Sequence, residues 1–142
     1  MAETMAGATT ATARGKVTAL KDGILRFTPS GTNYELHLLV APGFAAAAGR
    51  LVQGSIRVQA RKVWTVPSGG NFISPIFGPP RTIQGRVRSI SDREIVVHAG
   101  TSIVVDLPAQ DTGYDLASGP IAVGAIVNVV AMPGARFEPV TK

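Results

Sequence analysis

Cysteine is absent from this chain of 142 residues. With it go disulfides, thiolate nucleophiles and Cys-bound metals. A reducing compartment suits such a chain, and the expected location is cytoplasmic. Histidine is almost absent too: His37 and His98 are the only two, and neither stands at a metal-ligand spacing from another His or a carboxylate. Each reads as an ordinary strand residue. No Walker A loop, dinucleotide fingerprint or nucleophile elbow is present. The expectation is a protein without catalysis, cofactor or metal. Long apolar runs are missing as well. The nearest, residues 120–132, is broken by Gly124 and Asn128 and is too short to span a bilayer. Residues 1–13 are rich in Ala and Thr, include Glu3, and lack the basic start and apolar core of a signal peptide. They read as a disordered leader to a soluble protein.

What the chain does have is turns and apolar residues. Sixteen Gly and ten Pro, with 45% hydrophobic residues, point to many short strands around a core. The net charge of +5 is unevenly spread. Residues 1–83 hold nine Lys/Arg against three Asp/Glu, and residues 84–142 hold five against six. A basic half attracts polyanions at long range and equally serves solubility.

The chain is also written twice. Arg14-Gly15-Lys16-Val17-Thr18-Ala19-Leu20 returns as Gln84-Gly85-Arg86-Val87-Arg88-Ser89-Ile90, and Gln53-Gly54-Ser55-Ile56 returns as Val123-Gly124-Ala125-Ile126. Each copy begins with a strand, 16–20 or 86–90, followed by a tight turn carrying Asp22-Gly23 or Asp92. Strands 24–28 and 94–98 come next, then a turn at Gly31-Thr32 or Gly100-Thr101, then strands 34–40 and 102–107. Alternation turns Leu25, Phe27, Tyr34, Leu36 and Leu38 inward in the first copy, and Ile95, Val97, Ile103, Val105 and Leu107 in the second. A variable connection follows, with about one helical turn expected at Ala45–Ala48 and another around Tyr114 and Leu116. A fourth strand, 54–66 or 124–131, leads to a closing segment, Phe72 to Ile76 or Phe137 to Val140.

Three meander strands, a variable connection, a fourth strand and a closing one is the element order of an OB-type barrel. The expected fold is all-β: two tandem small OB-like β-barrels from an internal duplication. The first repeat is 14–76, the second 84–142, and a Pro-rich linker occupies 77–83. Such a linker is stiff enough to fix the two units relative to each other. The groove between them is expected to be filled by Phe77 and Ile83.

The copies differ most between the fourth strand and the closing segment, where the first copy is longer by about five residues that include Arg61-Lys62-Val63-Trp64. Trp64 is the only Trp in the chain. Cations beside an aromatic ring on an extended hairpin suit phosphate contact and base stacking. The candidate polyanion or nucleic-acid site is therefore Arg57, Arg61, Lys62, Trp64 and Asn71. Packing of Trp64 at the junction of the two units is the structural alternative. The outer face of the second and third strands carries few cations and no outward aromatic residue, so the usual OB stacking face is not expected to serve.

The run from Arg14 to Gly23, with its Gly-x-Val-x-x-Leu and Lys-Asp-Gly pattern, resembles the duplicated molybdate-binding (Mop/TOBE-type) modules, with a fainter echo at 61–64. The resemblance implies oxyanion binding. The Ser-Ala-Arg-Asn motif that opens each repeat in that family is replaced here by Thr12-Ala13-Arg14-Gly15 and Thr82-Ile83-Gln84-Gly85. Three functions are thus carried forward: contact with nucleic acid or an acidic protein, a protein-interaction or homo-oligomeric assembly module, and oxyanion binding.

Overall fold

A computed structural model describes residues 12–91, 94–107, 114–115 and 121–139, which contain strands and no helix. The first meander is β1 (Ala13–Lys21), β2 (Ile24–Pro29) and β3 (Glu35–Leu39). A sixteen-residue strand, β4 (Leu51–Val66), follows, then the short β5 (Phe72–Ser74) and β6 (Phe77–Gly78). The second meander is β7 (Thr82–Ser91), β8 (Glu94–His98) and β9 (Ser102–Asp106). The remaining strands are β10 (Tyr114–Asp115), β11 (Ile126–Ala131) and β12 (Arg136–Pro139).

The two meanders share a detail that the sequence does not announce. The pairing of β1 with β2 slips between Val17 and Ala19, and that of β7 with β8 slips between Val87 and Ser89. A bulge leaves one residue unpaired and tightens the local twist, which bends each first strand over its own sheet. The start of the bent strand packs closely on the next one. A Cβ on Gly15 would lie 2.3 Å from the Thr28 carbonyl oxygen, and one on Gly85 would lie 2.2 Å from that of His98. Only glycine fits there, which explains why it recurs.

Past the meanders the structure departs from the sequence offset. The Gly49 N–H donates to the Val17 carbonyl (2.7 Å) and the Gly124 N–H to the Val87 carbonyl (2.8 Å). Hydrogen bonding thus sets Gly49 against Gly124, where the sequence match set Gly54. Gly54 has another role: a Cβ there would meet the Glu138 carbonyl oxygen at 2.4 Å and the Phe137 ring at 2.7 Å.

All strands belong to one sheet, ordered β1-β2-β3-β12-β4-β11-β7-β8-β9, with further pairings β1–β4 and β4–β9. The pairing therefore returns to β4 twice. One circuit is β1-β2-β3-β12-β4 and the other is β4-β11-β7-β8-β9. The first is closed loosely, since β3 meets β12 through the single pair Leu39–Arg136. β4 is long because its start pairs with β1 while its end pairs with β11.

The closing segments do not close their own copies. Phe72–Ser74 pairs with β7 of the second meander, whereas Arg136–Pro139 pairs with β4 beside the first. Residues 60–66 are therefore no hairpin insertion. They continue β4 into the second circuit and pair with β11 there, as β12 pairs with 54–57 in the first. No helical turn forms at 45–48, where a four-residue Ala run between Gly43 and Gly49 is too short to offset nucleation. Tyr114 and Asp115 pair with Val63 and Trp64 as a strand; Leu116 and residues 1–11 lie outside the described residues. Ala13, placed in the leader by sequence, opens β1 and is buried.

One core runs through both circuits. Leu25, Phe27, Leu36 and Leu38 join Ile95, Val97, Ile103 and Val105 in it, as alternation predicts. Ile56, Val58 and Ala60 on β4 link the two groups, and Phe137 inserts beside Phe27 with ring centroids 5.1 Å apart. Ile83, expected in the groove between the two units, is buried in this core. Phe77 does not: it is 56% exposed, on β6 against the outer face of β3. No helix among the described residues is long and apolar enough to cross a membrane.

Candidate nucleic-acid interface

Local strand geometry decides which way the basic stretch of β4 faces. Lys62 pairs with Val130 and Ala60 with Ala131, so Arg61 is the extra residue of a bulge. A side-chain period of two would put Ala60, Lys62 and Trp64 on one face. The bulge resets the period. Ala60, Val63 and Thr65 are buried, Arg61 and Lys62 are both exposed, and Trp64 is half-buried on the outer face. The Lys62 ammonium lies 5.5 Å from the centroid of the Trp64 ring, within cation–π range.

The five residues chosen from sequence separate into three places. Arg61, Lys62 and Trp64 stand together at the bulge. Asn71 is exposed just before β5, across the sheet from Trp64. Arg57 is elsewhere. It sits where β4, β8, β9 and β12 meet, 3.1 Å from Glu94, 2.6 Å from Asp106 and 3.6 Å from Glu138. Partial burial disfavours its charge, but the Glu94 hydrogen bond and the three carboxylates outweigh that and raise its pKa. Arg57 ties the second meander and β12 to β4.

Those carboxylates are engaged away from the basic stretch. Glu35 pairs with Arg26, and Glu138 also pairs with Arg136 at 2.7 Å. Among the residues whose side chains are described, no carboxylate pairs with Arg61 or Lys62. Arg81, exposed at the start of β7, joins them through β11: its carbonyl accepts from the Ala131 N–H at 2.8 Å, beside the bulge.

The register adds residues that sequence reasoning missed. Trp64 pairs with Asn128, Asn128 with Gln84, and Gln84 with Phe72. Partners in register share a face, and the flanking Val63, Val127, Ile83 and Ile73 are buried, so this row of four faces outward. Its two ends are about 14 Å apart at three inter-strand steps. Phe72 is 40% exposed. The connection 67–71 passes over the row, because β11 and β7 lie between β4 and β5 in the sheet. Gln84 Nε2 donates to the Gly70 carbonyl at 3.1 Å, and a Cβ on Gly69 would lie 2.2 Å from that same nitrogen. Gly69 leaves the room that the Gln84 amide occupies, whereas a Cβ on Gly70 would meet nothing within 4 Å.

The histidines stand apart from this row. His37 packs edge-on against Phe77, centroids 4.9 Å apart, with the Arg26 guanidinium 5.6 Å from the Phe77 centroid. Burial and the Arg88 charge push His98 below the usual imidazole range. Among the described residues no group of three His, Asp or Glu is placed to hold a metal. No family model, curated protein or solved structure matches this chain.

Proposed function

We propose that this is a non-enzymatic binding module built from two small OB-like barrels, and that it contacts nucleic acid or a similar polyanion through Arg61, Lys62 and Trp64. The barrel reading draws on the two strand circuits and on a bulge that recurs at the same place in each meander. The binding reading rests on one observation: a bulge turns two exposed cations outward in succession beside a half-buried Trp. Cations neutralise phosphates, and an indole face accepts any base. Asn71 borders the row and Arg57 acts as a strut.

Trp64 reports on its own site. Its fluorescence is followed while single-stranded RNA or DNA is added at low and high salt. A quench that weakens with salt and is lost in the Arg61→Ala/Lys62→Ala double variant is expected. No response at low salt overturns the reading.

A second reading has its own support. Phe72, Ile76 and Phe77 are 40%, 54% and 56% exposed within six residues of chain. Clustered apolar exposure marks association surfaces, so assembly with a second copy or a protein partner is the alternative. A light-scattering mass above 14.7 kDa that falls to the monomer value on Phe77→Ser supports it.

A further inference from the structure

Asn128 is in the middle of the row and is half-buried, yet its side-chain Oδ1 is fully buried with no hydrogen-bond partner. An unsatisfied buried acceptor costs about 1–3 kcal/mol, and such atoms in native folds call for an explanation. Only one other side-chain atom among the described residues shares this condition, His37 Nε2, and its ring packs edge-on against Phe77. For Asn128 the surroundings point to a ligand. Trp64 is its direct cross-strand partner, which puts the Cβ atoms of the two residues about 5 Å apart. A base stacked on the indole would bring its edge over Asn128.

Access depends on the connection 67–71. All five of its residues are exposed, and Gln84 Nε2 donates to the Gly70 carbonyl from the sheet below. Lifting it therefore costs on the order of one net hydrogen bond, about 1 kcal/mol. A bond from the ligand to Asn128 Oδ1 would offset that cost.

We infer that Asn128 reads the edge of an unpaired base stacked on Trp64, and that its Oδ1 accepts from an exocyclic amine. Cytosine N4 and adenine N6 carry such donors, whereas uracil and thymine present a carbonyl oxygen there. A duplex holds its bases in the stack, so the ligand is a single strand. The inference rests on the nucleic-acid reading above and adds a preference to it.

The test titrates the full chain, by Trp64 fluorescence, with oligocytidylate and oligouridylate of equal length. Binding of the cytidylate about fivefold tighter is expected, the factor that a net hydrogen bond of ~1 kcal/mol supplies. In Asn128→Val, which keeps a strand-forming residue and removes the orphaned acceptor, the two affinities should converge within twofold. Equal wild-type affinities, or a preference that survives Asn128→Val, overturn base reading and leave polyanion binding standing. If neither oligonucleotide binds at low salt, both readings fall. Should the variant not fold, the wild-type ratio decides alone.

Discussion

The Phe137 ring lies 5.1 Å from that of Phe27, although the two residues come from opposite ends of the described chain. Phe44 also packs edge-on against Phe137, with centroids 5.9 Å apart. The first circuit is thus filled and closed by a strand that follows the second meander.

Phe137→Ala should accordingly cost about 3–5 kcal/mol, the usual penalty for emptying a buried aromatic site. Because one core spans both circuits, denaturant unfolding should stay a single transition with a lower midpoint. Two separated transitions would mean that the circuits fold independently.

The meander glycines should be far less tolerant than the loop glycines. Gly85→Ala would drive a methyl to 2.2 Å from a backbone oxygen, whereas nothing lies within 4 Å of a Cβ on Gly70. Gly85→Ala should cost more than about 2 kcal/mol and Gly70→Ala less than about 0.5 kcal/mol. Paired urea melts of the two variants check this.

Removing the Arg57 guanidinium leaves Glu94, Asp106 and Glu138 close together without their shared cation. Arg57→Met should destabilise by about 1–2 kcal/mol at neutral pH, below the value for a fully buried pair because the cluster is partly exposed. Urea melts of the variant at neutral pH, set beside wild type, measure it.

Glu138 and His98 both weaken the fold on acidification, over different pH ranges. The Arg136 hydrogen bond, aided by the Arg136 and Arg57 charges, holds the Glu138 carboxyl below its ordinary range despite partial burial. Its contribution is present above the unfolded pKa and is lost as pH falls through the lower folded value. His98 is also depressed, by burial and by Arg88. The unfolded chain therefore binds that proton first, and stability declines as pH drops below about 6.5. His98→Gln should flatten the stability profile just below that point and leave the acid limb at Glu138 in place.

Much of this fold was legible from alternation. Leu25, Phe27, Leu36, Leu38, Ile95, Val97, Ile103 and Val105 all turn inward as read, because local periodicity and a one-sided core dictate them. The destination of residues 60–66 was not legible. A strand that pairs with a distant β11 has the same pattern as one that doubles back in a hairpin, and the bulge at Arg61 depends on that partner. Trp64 was found by its rarity. Asn128 and Gln84 escaped notice because their only claim is position across strands from different copies. Arg57 looked like a free cation, since the carboxylates that hold it come from three remote segments.

Crossed closing strands also bear on the order in which this molecule can be made. On a ribosome β1, β2 and β3 emerge first, yet β12 is synthesised after every other described strand. Until then the nascent first meander exposes an unfilled slot beside Phe27 and a strand edge open to foreign pairing. Domains usually gain safety by folding from the N-terminus while translation continues. This chain forgoes that, so its yield should respond to chaperone supply and translation speed more than its final stability would suggest.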